Sequence, residues 1–302
     1  MRRLLPALCL LLAAGCVTPE QHRAASSTEA APTSESAATT PSTAALPTTS
    51  APVTTTVPVT PAPPVTTQAP TETWVVGAKP LPLGADGFGK VLPTPAVLVN
   101  RSLPTRDALP PPADGKYAAT VSEVPAAVLR RSTWQSGCPV TAGQLRYLTM
   151  SFWGFDGKAH TGEMIVNARV AQDVTKVFGT LFANRFPLEE MRVTALPELD
   201  LPPTGDGNNT GAFVCRAVRT GTTWSAHAYG LAIDINPFCN PYTKGKLVLP
   251  ELASSYVDRG RKRSGMLYSG DPVVRAFTAI GWTWGGTWTS PVDRQHFSAT
   301  GG

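Results

Sequence analysis

All the aromatic residues of this 302-residue chain, seven Trp, six Tyr and ten Phe, lie at or beyond Trp74. The first 73 residues therefore have nothing with which to build an aromatic core, and the remainder must hold the fold. From Val17 to Thr73 the composition is almost wholly Thr, Pro, Ala, Ser and Val, with ten prolines. Such a segment buries too little apolar surface to offset the entropy of ordering, so a disordered, partly polyproline-II tether is expected over residues 16–73.

Upstream of it, Arg2 and Arg3 precede an apolar run from Leu4 to Ala14. Eleven residues fall short of the roughly 20 that span a bilayer. The run ends in Leu12-Ala-Ala-Gly-Cys16, which reads as a lipoprotein signal over residues 1–15, with Cys16 as the lipidated new N-terminus. An ordinary secretory signal that happens to contain Cys16 is the alternative. The expected location is exported and lipid-anchored, on the outer face of a bacterial membrane or in the periplasmic or cell-wall space.

The net charge of +5 is modest. The one basic run, Arg259-Gly-Arg-Lys-Arg263, has no interleaved aromatics and reads as a solvated loop, so nucleic acid is not an expected partner. An anionic wall or membrane surface is compatible, and no obligate protein partner is expected. Residues 74–131 remain Pro-rich but add Trp74, Phe88 and Tyr117, which suggests an extended arm that packs on the domain without regular structure. The compact domain is expected over 132–302. Its pattern gives a short helix over Ala142–Leu148, then a hairpin from Leu148–Trp153 to Glu163–Val166. A helix over Ala168–Phe186 carries Val170, Val174, Val177, Phe178, Leu181 and Phe182 and is stopped by Pro187. Strands follow over Met191–Ala195 and Leu231–Asn236, then a helix over Asp271–Ile280 and final strands over Trp282–Trp288 and Gln295–Ser298. Short strands with two or three helices indicate an α+β fold with a small antiparallel sheet.

Three histidines lie beyond Trp74: His160, His227 and His296. On a strand from Leu231, alternation sends Leu231, Ile233 and Ile235 to the core, and puts Ala232, Asp234 and Asn236 on the other side. Asp234 amid apolar neighbours needs a counter-charge or a metal, and Gly230 permits a turn that folds His227 back over it. Near the C-terminus, Trp284-Gly-Gly-Thr-Trp288 leads to Asp293-Arg-Gln-His296. Two imidazoles and one carboxylate with an open fourth position make a catalytic zinc set. A leftover carboxylate beside it suits water activation.

Ser225-x-His227-x-x-Gly230-x-Ala232-x-Asp234, followed by Trp288 and Asp293-x-x-His296, resembles the zinc D-alanyl-D-alanine carboxypeptidase and L-alanyl-D-glutamate peptidase family, which includes VanY-like enzymes and phage endolysins. The resemblance extends over about Ser132–Ser298. It implies one zinc held by His227, Asp234 and His296, with Asp293 as general base and peptidoglycan stem peptides as substrate. It also implies that Arg216 binds a substrate carboxylate or steadies the oxyanion, and that Ser225 orients the site. Tyr229, Trp284 and Trp288 are candidates to wall the cleft, with plain core packing as their alternative. His160, which has no metal partner in the sequence, reads as structural or as a hydrogen bonder at the cleft edge.

Cys138, Cys215 and Cys239 allow three single disulfides; the resemblance favours Cys138–Cys215, which would pin Arg216 at the cleft. A cysteine peptidase using Cys215 and His227 would leave Asp234, Asp293 and His296 without a role. A reading from another class is a non-catalytic, zinc-containing, wall-binding lipoprotein.

Overall fold

The structure is a computed structural model that describes residues 74–219 and 221–301. The signal, Cys16 and the tether of the sequence analysis lie outside the described residues. Among the described residues no helix is long and apolar enough to cross a membrane.

The strongest sequence pattern makes the longest ladder. Leu145–Gly154 (β2) and Ala159–Asn167 (β3) pair antiparallel, with Leu148 opposite Met164 and Phe152 opposite His160. The helix predicted over 142–148 shrinks to one 3-10 turn, Ala142–Gln144, because the apolar residues from Leu145 onward are taken into the ladder. Ala119–Ser122 (β1) adds to the other edge of β2, and Pro187–Leu188 (β4) pairs with its end in parallel.

A helix over Ala171–Ala183 (α3) packs on this sheet, burying Val174, Val177, Phe178 and Leu181 at i, i+3, i+4 and i+7. It stops at Ala183, short of the predicted Phe186, as the chain turns out through Asn184 and a left-handed Arg185 (φ 50°). Against it lies Pro272–Ala279 (α4), opened by Asp271 at the cap and Pro272 in the first turn. The strand predicted over Met191–Ala195 does not form. That segment is held instead by a Ser132–Ala195 bridge, by Glu163 N–H donating to Met191 O at 2.9 Å, and by the side chains of Asn209 and Glu198 on the Arg192 and Ala195 backbone.

The second sheet carries the site. Ala232–Asp234 (β5) pairs antiparallel with His296–Ser298 (β10), which pairs in turn with Thr283–Trp284 (β8). The strand predicted to run to Trp288 breaks after Trp284 into a 3-10 turn, Gly285–Thr287. Beneath this sheet Ile233, Ile235, Phe277 and Phe297 are fully buried, with the Phe277 and Phe297 rings stacked at 4.0 Å. Each such side chain stabilises by about 1.5–3 kcal/mol relative to exposure, so the strand pair bearing the site rests on a rigid floor. A third small sheet, absent from the sequence expectation, sets Tyr242–Lys244 (β6) between Leu247–Leu249 (β7) and Val292–Asp293 (β9).

Residues 74–131 are more than an extended arm. They form β1 and two short helices, Ala96–Val99 (α1) and Ala126–Arg131 (α2), and belong to the same compact unit as the rest. Leu98 is fully buried with Phe238, Val248 and Tyr256. Arg101 is buried too: its Nε and Nη2 meet the Glu189 carboxylate at 2.5 and 2.7 Å, and Nη2 also donates to Asp206 O at 2.7 Å. The basic run is only partly a solvated loop. Residues 260–262 are exposed, whereas Arg259 donates to the carbonyls of Cys239, Tyr256 and Leu267 and fastens the loop to the domain. A disulfide joins Cys138 and Cys215, with Cα atoms 5.9 Å apart, and Cys239 is a buried free thiol. Cys215 is thus no thiolate nucleophile.

Candidate active site

His227 is placed by a short local program. Ser225 caps the 3-10 turn Ala226–Tyr229, its Oγ accepting from His227 N–H at 3.3 Å. Gly230 closes the turn at φ +65°, a left-handed conformation that a side chain resists; a Cβ there would also lie 2.6 Å from Asn167 N. The chain then enters β5, whose alternation buries Leu231, Ile233 and Ile235 and leaves Asp234 on the opposite face. Asn236, expected on the same side as Asp234, lies beyond the end of β5 with a left-handed φ of 42°; it is fully buried and donates to Pro187 O at 2.8 Å.

β10 brings the third group. His296 stands directly opposite Asp234 in the ladder, so the two side chains share a face. His227 Nε2 lies 3.2 Å from His296 Nδ1 and 3.4 Å from Asp234 Oδ1, and His296 Nδ1 lies 3.0 Å from Asp234 Oδ1. Zinc bonds of about 2.0–2.1 Å to nitrogen and oxygen give a tetrahedron with edges of about 3.3 Å. The three donors therefore sit on a triangle of the size that one face of a zinc tetrahedron requires. His227 Nδ1 is 2.6 Å from Ala212 O. A carbonyl only accepts, so Nδ1 carries a proton, which leaves Nε2, on the side of the other two donors, as the nitrogen that would bind a metal. The set fits zinc by donor chemistry as well as by spacing.

The electrostatics agree with a site built for a cation. Burial pushes the Asp234 carboxyl up, but the charges and hydrogen bonds of His227 and His296 outweigh it and hold Asp234 far below the ordinary carboxylate range. For His296, burial works to lower the imidazole, and Asp234 and then Asp293 reverse it, for a net rise.

Asp293 ends β9, opposite Tyr242, and packs against the Gly285 backbone. A Cβ at Gly285 would lie 2.5 Å from Asp293 O, so this position of the Trp-Gly-Gly-Thr-Trp segment needs glycine for the close approach. Asp293 Oδ1 is shut off from solvent and has no hydrogen-bond partner among the described residues. Burial, with the Asp234 charge behind it, pushes the Asp293 carboxyl up to about 7. A carboxylate tuned to that value is suited to accept and return a proton near neutral pH.

Arg216 lines the same cavity, of about 280 Å³, as His227 and Asp234. Its Nη1 donates to Ala217 O at 3.2 Å, and it has no ion pair among the described residues. Burial pulls the guanidinium below its ordinary value, Arg219 adds to that, and Asp234 and Asp293 oppose it. The Cys215 bridge next door anchors this position, and Cys215 N–H donates to Thr133 Oγ1 at 2.9 Å.

The aromatic candidates divide. Trp288 flanks the site, its ring 5.6 Å from that of His296. Trp284 is buried, stacked on Phe297 at 6.3 Å and donating to Arg294 O, so it is core and not a cleft wall. Tyr229 points to solvent with 36% exposure and is not among the cavity-lining residues. His160 sits between Asp107 Oδ1 at 2.7 Å and Asp156 Oδ1 at 3.1 Å, a structural position away from the metal donors. Sequence reasoning missed Arg192, Thr194, Glu198, Gly207 and Asn209, which line the same cavity. Their local patterns carry no motif, and only the chain path brings them to the cleft.

No curated protein and no solved structure matches the chain. Residues 219–299, the span holding Ser225, His227, Asp234, Asp293 and His296, match the D-alanyl-D-alanine carboxypeptidase family, the one these motifs resemble.

Proposed function

We propose that this protein is a zinc metallopeptidase that hydrolyses peptide bonds in peptidoglycan stem peptides, held at the outer face of the cell membrane by a lipid on Cys16. The observation that carries the reading is the pairing of a zinc-sized donor triangle, His227, Asp234 and His296, with an unpartnered buried carboxylate oxygen on Asp293. When bound by those three residues, zinc supplies a Lewis acid and lowers the pKa of water toward 7. Asp293 Oδ1 takes a proton from the attacking water as its oxygen bonds to the peptide carbonyl carbon. As the C–N bond breaks, Asp293 returns that proton to the leaving amine nitrogen. Arg216, in the same cleft as the metal donors, holds the negative charge of a substrate carboxylate or of the developing oxyanion. Ser225 holds the His227 backbone and Ala212 O its ring, so the donor set is formed before substrate arrives.

Asp293→Asn separates this reading from a non-catalytic wall-binding role. The variant is expected to bind one zinc per chain and to lose about 10²- to 10⁴-fold in kcat, the usual contribution of a general base. Hydrolysis within tenfold of wild type would contradict the assignment.

A further inference from the structure

The cleft has a second wall that the family match does not reach. Arg192, Glu198, Gly207 and Asn209 share the cavity with His227 and Asp234 but lie outside residues 219–299. The two parts are linked by one segment. Gly211 exchanges backbone hydrogen bonds with Asp234 at 2.9 and 3.1 Å, while Asn209 bonds the Arg192 backbone through both side-chain atoms at 2.9 Å. Behind this segment Asp206 is clamped by Trp74 Nε1, Gly77 N–H and Thr204 Oγ1. The second wall is thus held at a fixed spacing from the metal donors.

Its charge is specific. Arg192 donates to both oxygens of Glu198 at 2.7 and 2.9 Å, and through Nε to Glu190 at 3.2 Å. The Arg192 guanidinium is therefore matched by two carboxylates and adds no unpaired positive charge beside Glu198, in contrast to Arg216 elsewhere in the same cavity. Glu198 Oε1 also accepts Ala195 N–H at 2.7 Å, while among the described residues Oε2 has Arg192 alone, and the side chain remains 31% exposed. An incoming ammonium can add to Oε2 without displacing Arg192. Gly207, which lines the same cavity, is exposed, and a Cβ there would meet nothing within 4 Å.

We propose that Glu198, fixed by Arg192 in the cleft wall, is a specificity residue that binds the side-chain ammonium of a diamino acid in the peptide being cut. This rests on the peptidase reading above. Lysine and diaminopimelate both present such an ammonium.

The test uses the full zinc-loaded chain and three stem peptides that differ at one residue: lysine, diaminopimelate or Nε-acetyl-lysine. The free-ammonium peptides are expected to exceed the acetylated one about tenfold in kcat/KM, and the faster of the two names the source. In Glu198→Gln, which keeps an acceptor for Ala195 N–H, the ratio is expected to fall to about one through the KM of the free-ammonium peptides. Gly207→Leu, which fills open space, is expected to raise KM for all three. Equal kcat/KM in the wild type, an undiminished ratio in Glu198→Gln, or an unchanged KM in Gly207→Leu would overturn the subsite alone. Zinc-dependent cleavage of none of the peptides would overturn the peptidase reading beneath it.

Discussion

Asp293→Asn is expected to stabilise the metal-free protein at alkaline pH while it disables catalysis. In the folded chain the Asp293 carboxyl is raised from the ordinary 3.8 to about 7, by burial and by Asp234. Between those values the folded state binds a proton that the unfolded state has released, so stability falls as pH rises from about 4 to 7. A shift of that size corresponds to about 4 kcal/mol at pH 8. Relaxation of the cleft and entry of water reduce the expected gain of the neutral Asn to about 2 kcal/mol. Asp234 acts in the opposite sense, its depressed carboxyl giving stability above the unfolded value near 4 that is lost on acidification, but it is common to both proteins. The assay is urea unfolding of metal-free wild type and variant at pH 8, 7, 6 and 5. The variant should be more stable at pH 8, with the gap closing toward pH 5. An equal midpoint at pH 8, or a gap that widens on acidification, would refute the electrostatic argument for Asp293 as a tuned base.

Asp234→Asn removes the one charged donor of the triangle and is expected to weaken zinc binding by at least 100-fold, as read by competition with a chromophoric chelator. Gly230→Ala forces a side chain into φ +65° and toward Asn167 N at 2.6 Å; a loss of about 2 kcal/mol in urea unfolding is expected, with reduced zinc affinity because His227 is displaced. Arg101→Met leaves Glu189 buried without its cation and is expected to cost about 3–5 kcal/mol, seen as a fall in Tm, although Arg101 lies far outside the matched family segment.

One half of the candidate site was legible because its residues are close in sequence and their chemistry is rare. His227, Gly230 and Asp234 fall within one turn and one strand, so alternation and a glycine suffice to place them. The His296–Asp234 juxtaposition needed the ladder register, which no local pattern encodes. The hairpin and α3 were readable from long runs of period two and 3.6. Two- and three-residue strands such as β6, β7 and β9 are too short to show a period, and they form because tertiary neighbours align them. The Met191–Ala195 segment shows the reverse. Its apolar alternation is real, with Met191 and Val193 buried, yet among the described residues it joins no strand and makes only the isolated Ser132–Ala195 bridge. The cleft wall at Arg192 and Glu198, and the Arg101–Glu189 pair, join residues too distant in sequence for composition or spacing to reveal.

The most direct test of the central claim is mass analysis of purified muropeptides incubated with the full chain, with zinc and with chelator. The account requires a product that appears only with zinc. Loss of a single terminal D-Ala identifies a carboxypeptidase, and release of a stem fragment identifies an endopeptidase. An unchanged muropeptide profile from protein that carries one zinc per chain would contradict the account.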